Sequence, residues 1–161
     1  TNLRTDEYGG CFPNKIRIAT EIVEGIRKSV GEDFLIIFRI PAMDMLEGGM
    51  SWEEICTLGQ ALENSGVSIV STHFSWHESP VPTIATMVPR AAFTSVTKRL
   101  KSVINVPVIT SNRINMPDVA ETVLANGDAD LVSMARPFLA DGKIFEKIKE
   151  GREEELSLIH I

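Results

Sequence analysis

The chain has 161 residues, enough for one ordinary domain with a hydrophobic core. Its 16 basic and 22 acidic residues give a formal net charge of −6, which disfavours nucleic acid as a partner. No apolar run has the length of a membrane span and the N-terminus does not resemble a signal peptide, so we expect no membrane contact. The two cysteines, Cys11 and Cys56, are too far apart in sequence to indicate a disulfide framework, and a cytoplasmic location is expected.

The first half of the chain predicts two helices and two strands. Apolar residues at helical spacing predict a helix from Asn14 to Val30. The continuous apolar run 34–38 is typical of a strand covered on both faces. Ser51 to Glu54 form a capping box, which predicts the start of a second helix. The run 67–70 begins a second buried strand.

The second half repeats this pattern. Residues 93–103 suit a helix with an exposed basic side, and 106–110 read as a third strand. Pro117 suits the first turn of a helix that ends near Gly127. A fourth strand is predicted at 129–134, and 137–148 are expected to be helical.

This alternation of strands and helices implies a parallel sheet. Two architectures compete: an open doubly wound sheet and part of a (β/α)8 barrel. No G-x-G-x-x-G follows any strand, which counts weakly against a dinucleotide-binding open sheet. A complete barrel needs about 250 residues. We therefore predict an α/β fold that is the C-terminal half of a (β/α)8 TIM barrel, about four βα units, truncated at both ends.

Arg39 stands at the carboxyl end of the first predicted strand. In a barrel these strand ends face the active site. A guanidinium after an apolar run is either paired with a carboxylate, Asp44 or Glu47, or directed at a ligand. The residues alone leave both interpretations open.

His77 follows the second predicted strand, in the stretch FSWHES. Its side chain suits a proton donor or a hydrogen-bond donor to a carbonyl oxygen. The alternative is a loop histidine packed on Trp76, and the sequence alone favours that alternative. His73 is expected to be a strand-end or core histidine.

Two strand-to-helix turns each carry one arginine: TSNRIN at 110–115 and SMARP at 133–137. Backbone N–H groups, a helix N-terminus and a cation in such turns form a phosphate site, which in barrels follows the last two strands. The alternative is that Arg113 and Arg136 cover strand ends and pair with Asp118, Asp130 or Asp141. Between the second and third strands, the Pro-rich segment 80–90 is too apolar for a solvated linker. We interpret it as a semi-rigid wall of a substrate pocket, against the alternative of a plain packed loop.

These stretches together resemble the Old Yellow Enzyme (NADH:flavin oxidoreductase) family of FMN-dependent barrels. The similarity rests on the loop 2–10, on WHESPVPTIATMVPR at 76–90, on TSNRIN, and on LVSMARPFLAD at 131–141. Within the family, the chain is most similar to the bacterial 2,4-dienoyl-CoA reductase branch. The similarity covers residues 1–155.

The resemblance implies a role for each candidate. Arg39 would lie near the pyrimidine edge of the flavin and stabilise its anionic reduced form. His77 would lie beside the substrate carbonyl as the catalytic residue. The FMN phosphate cradle would consist of two arginines and their neighbours, Asn112, Arg113, Ala135 and Arg136. No metal ligand is expected within the chain.

The implied function is an FMN-dependent, NAD(P)H-linked reduction of an activated C=C bond. The substrate would be an enone or an enoyl- or dienoyl-CoA-type thioester. The parent protein would also carry a 4Fe–4S centre and FAD, and its proton-donor tyrosine and cluster cysteines would lie outside these residues. The alternatives are a non-redox phosphate-binding barrel of the aldolase or epimerase type, and an inert fragment.

The chain is expected to divide into two parts. Residues 1–155 are a partial FMN-binding TIM barrel. Residues 156–161, LSLIHI, abandon the pattern of the acidic helix end before them and resemble the translation of a sequencing adapter. We interpret them as a non-native tail, and a genomic read that continues through Leu156 with the same residues would refute this.

Overall fold

The computed structural model describes residues 2–75, 79–80 and 82–156. Its strands are β1 Ile37–Met43, β2 Ile69–Phe74, β3 Val108–Thr110 and β4 Leu131–Val132. Its helices are α1 Phe12–Val30, α2 Trp52–Asn64, α3 Thr94–Lys101, α4 Pro117–Ala125, α5 Arg136–Ala140 and α6 Ile144–Lys149, with a final 3₁₀ turn at Glu153–Glu155. No helix in the described ranges is long and apolar enough to cross a membrane.

The strands form one parallel sheet in the order β1-β2-β3-β4. Each strand pairs with the next along the chain, and at least one helix separates consecutive strands. All four carboxyl ends therefore lie at the same edge of the sheet, and the turns that follow them are neighbours. This is the α/β arrangement that the sequence predicts.

Local sequence signals explain where the longer helices begin and end. In α2 the Ser51 hydroxyl accepts from the Glu54 N–H at 3.2 Å and the Glu54 carboxylate accepts from the Ser51 N–H at 2.9 Å, so the predicted capping box is present. Pro117 occupies the first turn of α4 as predicted. Gly31 ends α1 with a φ of 83°, a conformation that glycine adopts without strain.

One face of the sheet is covered by helices and forms the core. The buried strand residues alternate along β1 and β2, as Ile40, Ala42, Val70, Thr72 and Phe74. Ile40 and Val70 pack in the main cluster with hydrophobic residues of α1, α2, α3 and the α3–β3 connection: Val23, Ile55, Leu58, Leu62, Leu100 and Ile104. Ala42 and Phe74 belong to a smaller cluster with Phe93. This burial is the main stabilising term of the fold.

The opposite face carries polar side chains at the intervening positions. Arg39, Ser71 and His73 share this face, because residues two apart along a strand point the same way. The expectation of a first strand at 34–38 with both faces covered is therefore wrong in two respects. The strand runs from Ile37 to Met43, and Phe34 is 58% exposed. The Phe34 carbonyl accepts from Arg27 at 2.8 Å, and backbone hydrogen bonding to the β2 segment begins only at the Ile36 carbonyl.

The expected helix at 137–148 is divided into α5 and α6. Asp141 causes the break. Its N–H makes the last helical bond of α5, to the Pro137 carbonyl at 2.9 Å, and its carboxylate then accepts from the Lys143 N–H at 2.9 Å, which forms a turn in place of the next helical bond. Aspartate followed by Gly142 favours such a turn over a continuing helix, because the short side chain competes for backbone N–H groups.

Candidate functional site

A cavity of about 940 Å³ lies at the carboxyl ends of the strands. Side chains from the polar face of β1 and β2 form one part of its wall, and the turns after β3 and β4 form another. It brings together the five predicted cofactor-binding residues, Arg39, Asn112, Arg113, Ala135 and Arg136. The predicted catalytic residue, His77, lies outside the described residues.

The charge of this cavity is of one sign. Among the described residues that line it, the charged ones are the arginines Arg39, Arg113 and Arg136, and no Asp or Glu is present. The whole chain carries a net charge of −6, so the cavity is positively charged in a molecule whose overall charge is negative. Such a concentration of unbalanced cations favours an anionic ligand.

Arg39 contacts His73 across the strand pair. The Arg39 Nη2 lies 3.0 Å from the His73 Nδ1. A guanidinium is only a donor, so the histidine Nδ1 must accept and the ring proton of neutral His73 is on Nε2. The predicted alternative, an ion pair of Arg39 with Asp44 or Glu47, is absent from the described residues, and the Asp44 carboxylate accepts from the Met50 N–H at 3.1 Å.

The turn after β3 is held in an unusual backbone conformation. Asn112 and Arg113 both have left-handed backbones, with φ of 67° and 58°. The Asn112 Nδ2 donates to the Thr83 hydroxyl at 2.7 Å, and the Ser111 hydroxyl lies 2.9 Å from the Thr72 carbonyl. Left-handed backbone in residues other than glycine persists only where surrounding contacts hold it, and such positions concentrate at functional sites.

Arg113 is buried, with 8% of its surface exposed. Its Nε donates to the Val88 carbonyl at 2.9 Å and its Nη2 to the Thr86 carbonyl at 3.4 Å. Two of the three acids proposed as its partners pair elsewhere, Asp130 with Lys101 and Asp141 with Lys147, and no ion pair joins Asp118 to Arg113 in the described residues.

Arg136 begins α5 after the turn that follows β4. It is half-buried, whereas Ala135 is exposed and leaves its backbone accessible from the cavity. Within the described part of the chain, Arg136 forms no hydrogen bond or ion pair. Its guanidinium is therefore available to a ligand in the cavity.

Ser111 and Thr83 lie in segments that the sequence predicts to form the site, the turn 110–115 and the pocket wall 80–90, but their contacts are not predicted. His73 lies near the carboxyl end of β2, which is one of its two predicted positions, and its contact with Arg39 is not predicted. The alternation of β2, which places Ser71 and His73 on the face that carries Arg39, is the signal that indicates this contact. The hydrogen bond of Thr83 with Asn112 joins residues distant in sequence, for which the chain has no local signal.

Comparisons with known proteins agree on one family. The family model for the NADH:flavin oxidoreductase / NADH oxidase family matches residues 1–155. A metal reductase of Desulforamulus reducens is 38% identical over 156 residues, which cover 97% of this chain and 23% of that protein. An NADH oxidase of Thermoanaerobacter brockii is 37% identical over 161 residues, covering 97% and 24%. The solved structure of 2-naphthoyl-CoA reductase with 2-naphthoyl-CoA superimposes with a TM-score of 0.92 at 35% identity, covering 97% of this chain and 24% of that one.

The chain therefore belongs to the NADH:flavin oxidoreductase / NADH oxidase family. This confirms the resemblance at the level of the family and, with it, the prediction of an α/β unit that forms part of a TIM barrel. The chain spans about a quarter of the length of the relatives it matches. The assignment to the dienoyl-CoA reductase branch, the division at residue 155 and the roles of individual residues stay predictions.

Proposed function

We propose that the chain supplies one side of the FMN site of an NAD(P)H-linked oxidoreductase that reduces an activated C=C bond. One observation carries this proposal: in a family of flavin enzymes, three arginines line one cavity without a carboxylate among its described residues. A flavin phosphate is the anion that such a cavity would accept. The alternative of a non-redox phosphate-binding barrel would use the same turns, but it gives no reason for Arg39.

The residues present fit FMN in charge, position and space. A cavity of about 940 Å³ lies in the usual range for cofactor sites. Arg136, free of partners among the described residues, and the accessible Ala135 backbone would hold the phosphate from the β4 turn. Asn112 and Arg113 would hold it from the β3 turn through their left-handed backbone. Two turns on neighbouring strands would thus grip one phosphate.

Arg39 would act at the other end of the cofactor. When bound, FMN supplies the transfer of two electrons between nicotinamide and substrate. Arg39 would place its positive charge beside the flavin pyrimidine edge and stabilise negative charge that forms there. His73 keeps the guanidinium in place by accepting its hydrogen bond at 3.0 Å.

The substrate proposal is an enone or an enoyl or dienoyl thioester. A solved relative at 35% identity is a 2-naphthoyl-CoA reductase with its thioester bound, and this favours a thioester carbonyl as the activating group. His77 would donate a hydrogen bond to that carbonyl oxygen and assist protonation of the carbon skeleton. In the same proposal, the parent protein carries a 4Fe–4S centre and FAD, takes its electrons from NAD(P)H, and resides in the cytoplasm.

The visible spectrum of the full-length protein tests the proposal. The purified protein should show a flavin band that bleaches with anaerobic NAD(P)H and returns when an enone or dienoyl thioester is added. His77→Ala should slow the return without slowing the bleaching, because His77 is proposed to act on the substrate. A full-length protein that contains no FMN and binds none when it is added would overturn the flavin site, and the phosphate-binding barrel would replace it.

A further inference from the structure

We propose that the Arg113 side chain is a positioning residue that joins the β3 turn to the wall of the cavity. The β3 turn is residues 111–113, and the covering loop is residues 82–91. Arg113 fixes the covering loop on the turn, so that occupation of the phosphate site and order in the loop depend on each other. That Arg113 holds the loop is inferred from the contacts alone. That the loop is coupled to FMN binding rests also on the proposed function.

The covering loop is attached to the β3 turn near both ends and in the middle. Near its start, Thr83 accepts from the Asn112 Nδ2 at 2.7 Å. At its end, the Ala91 N–H donates to the Arg113 carbonyl at 3.0 Å. Between them, the Arg113 guanidinium donates to the carbonyls of Val88 at 2.9 Å and Thr86 at 3.4 Å.

Apolar packing in the described residues supports the second half of the loop, where Val88 lies on the cluster of Ala42, Phe74 and Phe93 and Ala91 lies on a second cluster. The loop's own backbone bonds are local turns, from Ala85 to the Pro82 carbonyl and from Val88 to the Ala85 carbonyl. Ile84 is 53% exposed and Met87 is 80% exposed, so apolar burial does not anchor them. The Thr83 hydroxyl lies 3.5 Å from the Phe74 carbonyl, at the limit of a hydrogen bond. The bonds from the turn are therefore the main polar attachment of the loop, and among the described residues its exposed part around Thr86 is attached only to Arg113.

The chemistry of Arg113 explains why an arginine is needed. A planar guanidinium presents five donors in a fixed fork and can bind two loop carbonyls at once. Its donors to Thr86 and Val88 use two of these five, which leaves the charge uncompensated at the cavity wall. A lysine would keep the charge but not the fork. A neutral side chain would leave the two carbonyls without these donors.

The attachment has a consequence for binding. Pro82, Thr83 and Ile84 of the covering loop line the same cavity as Arg136. The turn is held in its left-handed conformation partly by loop contacts, and the loop is held by the turn. An anion that binds the turn backbone stabilises this conformation and hence the loop, and by reciprocity an ordered loop strengthens anion binding.

Hydrogen exchange tests the attachment without any cofactor. In the full-length protein, Arg113→Met should raise the exchange rate of the hydrogen-bonded loop amides, those of Ala85, Val88 and Ala91, by roughly 10- to 100-fold, and Arg113→Lys should give a smaller increase. Arg90→Met is the matched control, because it removes an exposed arginine of the same segment and should leave these rates unchanged. Unchanged exchange in a folded Arg113→Met protein would overturn the proposal. If Arg113→Met does not fold, Thr83→Val carries the test, since it removes the first attachment and should speed exchange at that end.

A second measurement tests the coupling. Saturating FMN should slow exchange across residues 83–91 in the wild-type protein and should slow it less in Arg113→Lys. FMN that binds without protecting the covering loop would overturn the coupling and leave the flavin site intact. Absence of FMN binding would overturn the proposed function, while the exchange of the apo-protein would still decide whether Arg113 holds the loop.

Discussion

The two edges of the sheet use arginine in opposite ways. At the amino ends, Arg27 is surrounded by acceptors: it donates to the Gly31, Phe34 and Gly66 carbonyls at 2.6–2.9 Å and to the Ser68 hydroxyl at 2.9 Å. At the carboxyl ends, Arg136 forms no hydrogen bond or ion pair within the described part of the chain. The first edge satisfies Arg27 within the fold, and the second leaves Arg136 to a ligand.

The same division holds for the acidic residues. The lysines of α3 pair with acids at the amino ends, Lys98 with Asp128 and Lys101 with Asp130, both at 2.8 Å. No acid lies among the described residues of the cavity at the other edge. In barrels the amino-terminal edge contributes stability and the carboxyl-terminal edge carries the chemistry. In this chain, acids pair with the lysines at the amino edge and are absent from the described cavity at the carboxyl edge, which is the same division between stability and chemistry.

Removal of Arg27 should produce the largest loss of stability. Arg27→Met should lower the free energy of unfolding by about 2–4 kcal/mol, because several carbonyls lose charge-assisted donors at once. Thermal melts followed by circular dichroism measure this. Lys28→Met, which changes an exposed cation of the same helix, should leave the melting temperature nearly unchanged. The FMN affinity of the folded protein should not change. A loss of affinity in Arg27→Met would contradict the assignment of the amino edge to stability alone.

Arg136 should show the reverse behaviour. Arg136→Gln should weaken FMN binding by about 10- to 30-fold, equivalent to about 1.4–2 kcal/mol, because a charge-assisted contact to the phosphate is lost. Titration with FMN, followed by quenching of flavin fluorescence, measures the dissociation constant. The dissociation constant of Arg136→Lys should lie between those of the wild type and Arg136→Gln, because lysine keeps the positive charge but loses the bidentate geometry. The melting temperature of the apo-protein should stay close to that of the wild type. A large drop would mean that Arg136 is structural.

Much of this fold follows from local sequence signals. The capping box at Ser51 and the proline at the start of α4 each fix a helix start by contacts within one turn, and both are present. The strand order also follows, because alternating strands and helices favour neighbouring parallel pairs. The predicted start of β1 was wrong because an apolar run does not show where pairing with β2 begins, and that pairing depends on residues about 32 positions away in sequence.

The sequence predicts which types of residue form the candidate site, but it does not predict the contacts between them. The arginines were found because cations after strands are conspicuous. That Arg113 donates to Val88 and Thr86 depends on how two distant loops meet. The role of His73 depended on the register, in which Pro41 pairs with His73 and brings the imidazole within reach of Arg39.

Between the two edges, three buried threonines form a chain of hydroxyls. The Thr97 hydroxyl lies 3.0 Å from that of Thr72 and 2.9 Å from that of Thr110, and Thr72 donates to the Ile109 carbonyl at 3.0 Å. All three are fully buried. Each hydroxyl has one proton, so the order Thr110 to Thr97 to Thr72 gives every proton an acceptor.

Thr97→Val keeps the shape of the side chain and removes the central hydroxyl. We expect a loss of about 1–2 kcal/mol in the free energy of unfolding, because the Thr110 hydroxyl is left buried without its acceptor. Chemical denaturation measures it. Thr97→Ser retains the hydroxyl, so it tests the hydrogen bond separately from the lost methyl group. Equal stability of Thr97→Val and wild type would show that the hydroxyl chain contributes nothing, and FMN affinity should be the same in both variants.

The smallest effect is expected outside the cavity, at the ion pair of Asp141 and Lys147. The Lys147 Nζ lies 2.6 Å from the Asp141 carboxylate, and this hydrogen bond, with a second from the Lys143 N–H, holds the pKa of Asp141 below its ordinary value. A carboxyl group whose pKa is lowered in the folded state stabilises that state at neutral pH. The stabilisation is lost as the pH falls from the ordinary value through the lowered one.

Asp141→Asn should therefore melt slightly below wild type at pH 7, and the difference should shrink as the pH falls below about 4. Melting temperatures from pH 7 to pH 3 measure it. Asp33→Asn is the matched control, because Asp33 is exposed and forms no ion pair among the described residues; its difference from wild type should be close to zero throughout. A difference for Asp141→Asn that grows towards acid would have the wrong sign for a lowered pKa. That result would mean that Lys147 does not stabilise the ionised carboxylate of Asp141.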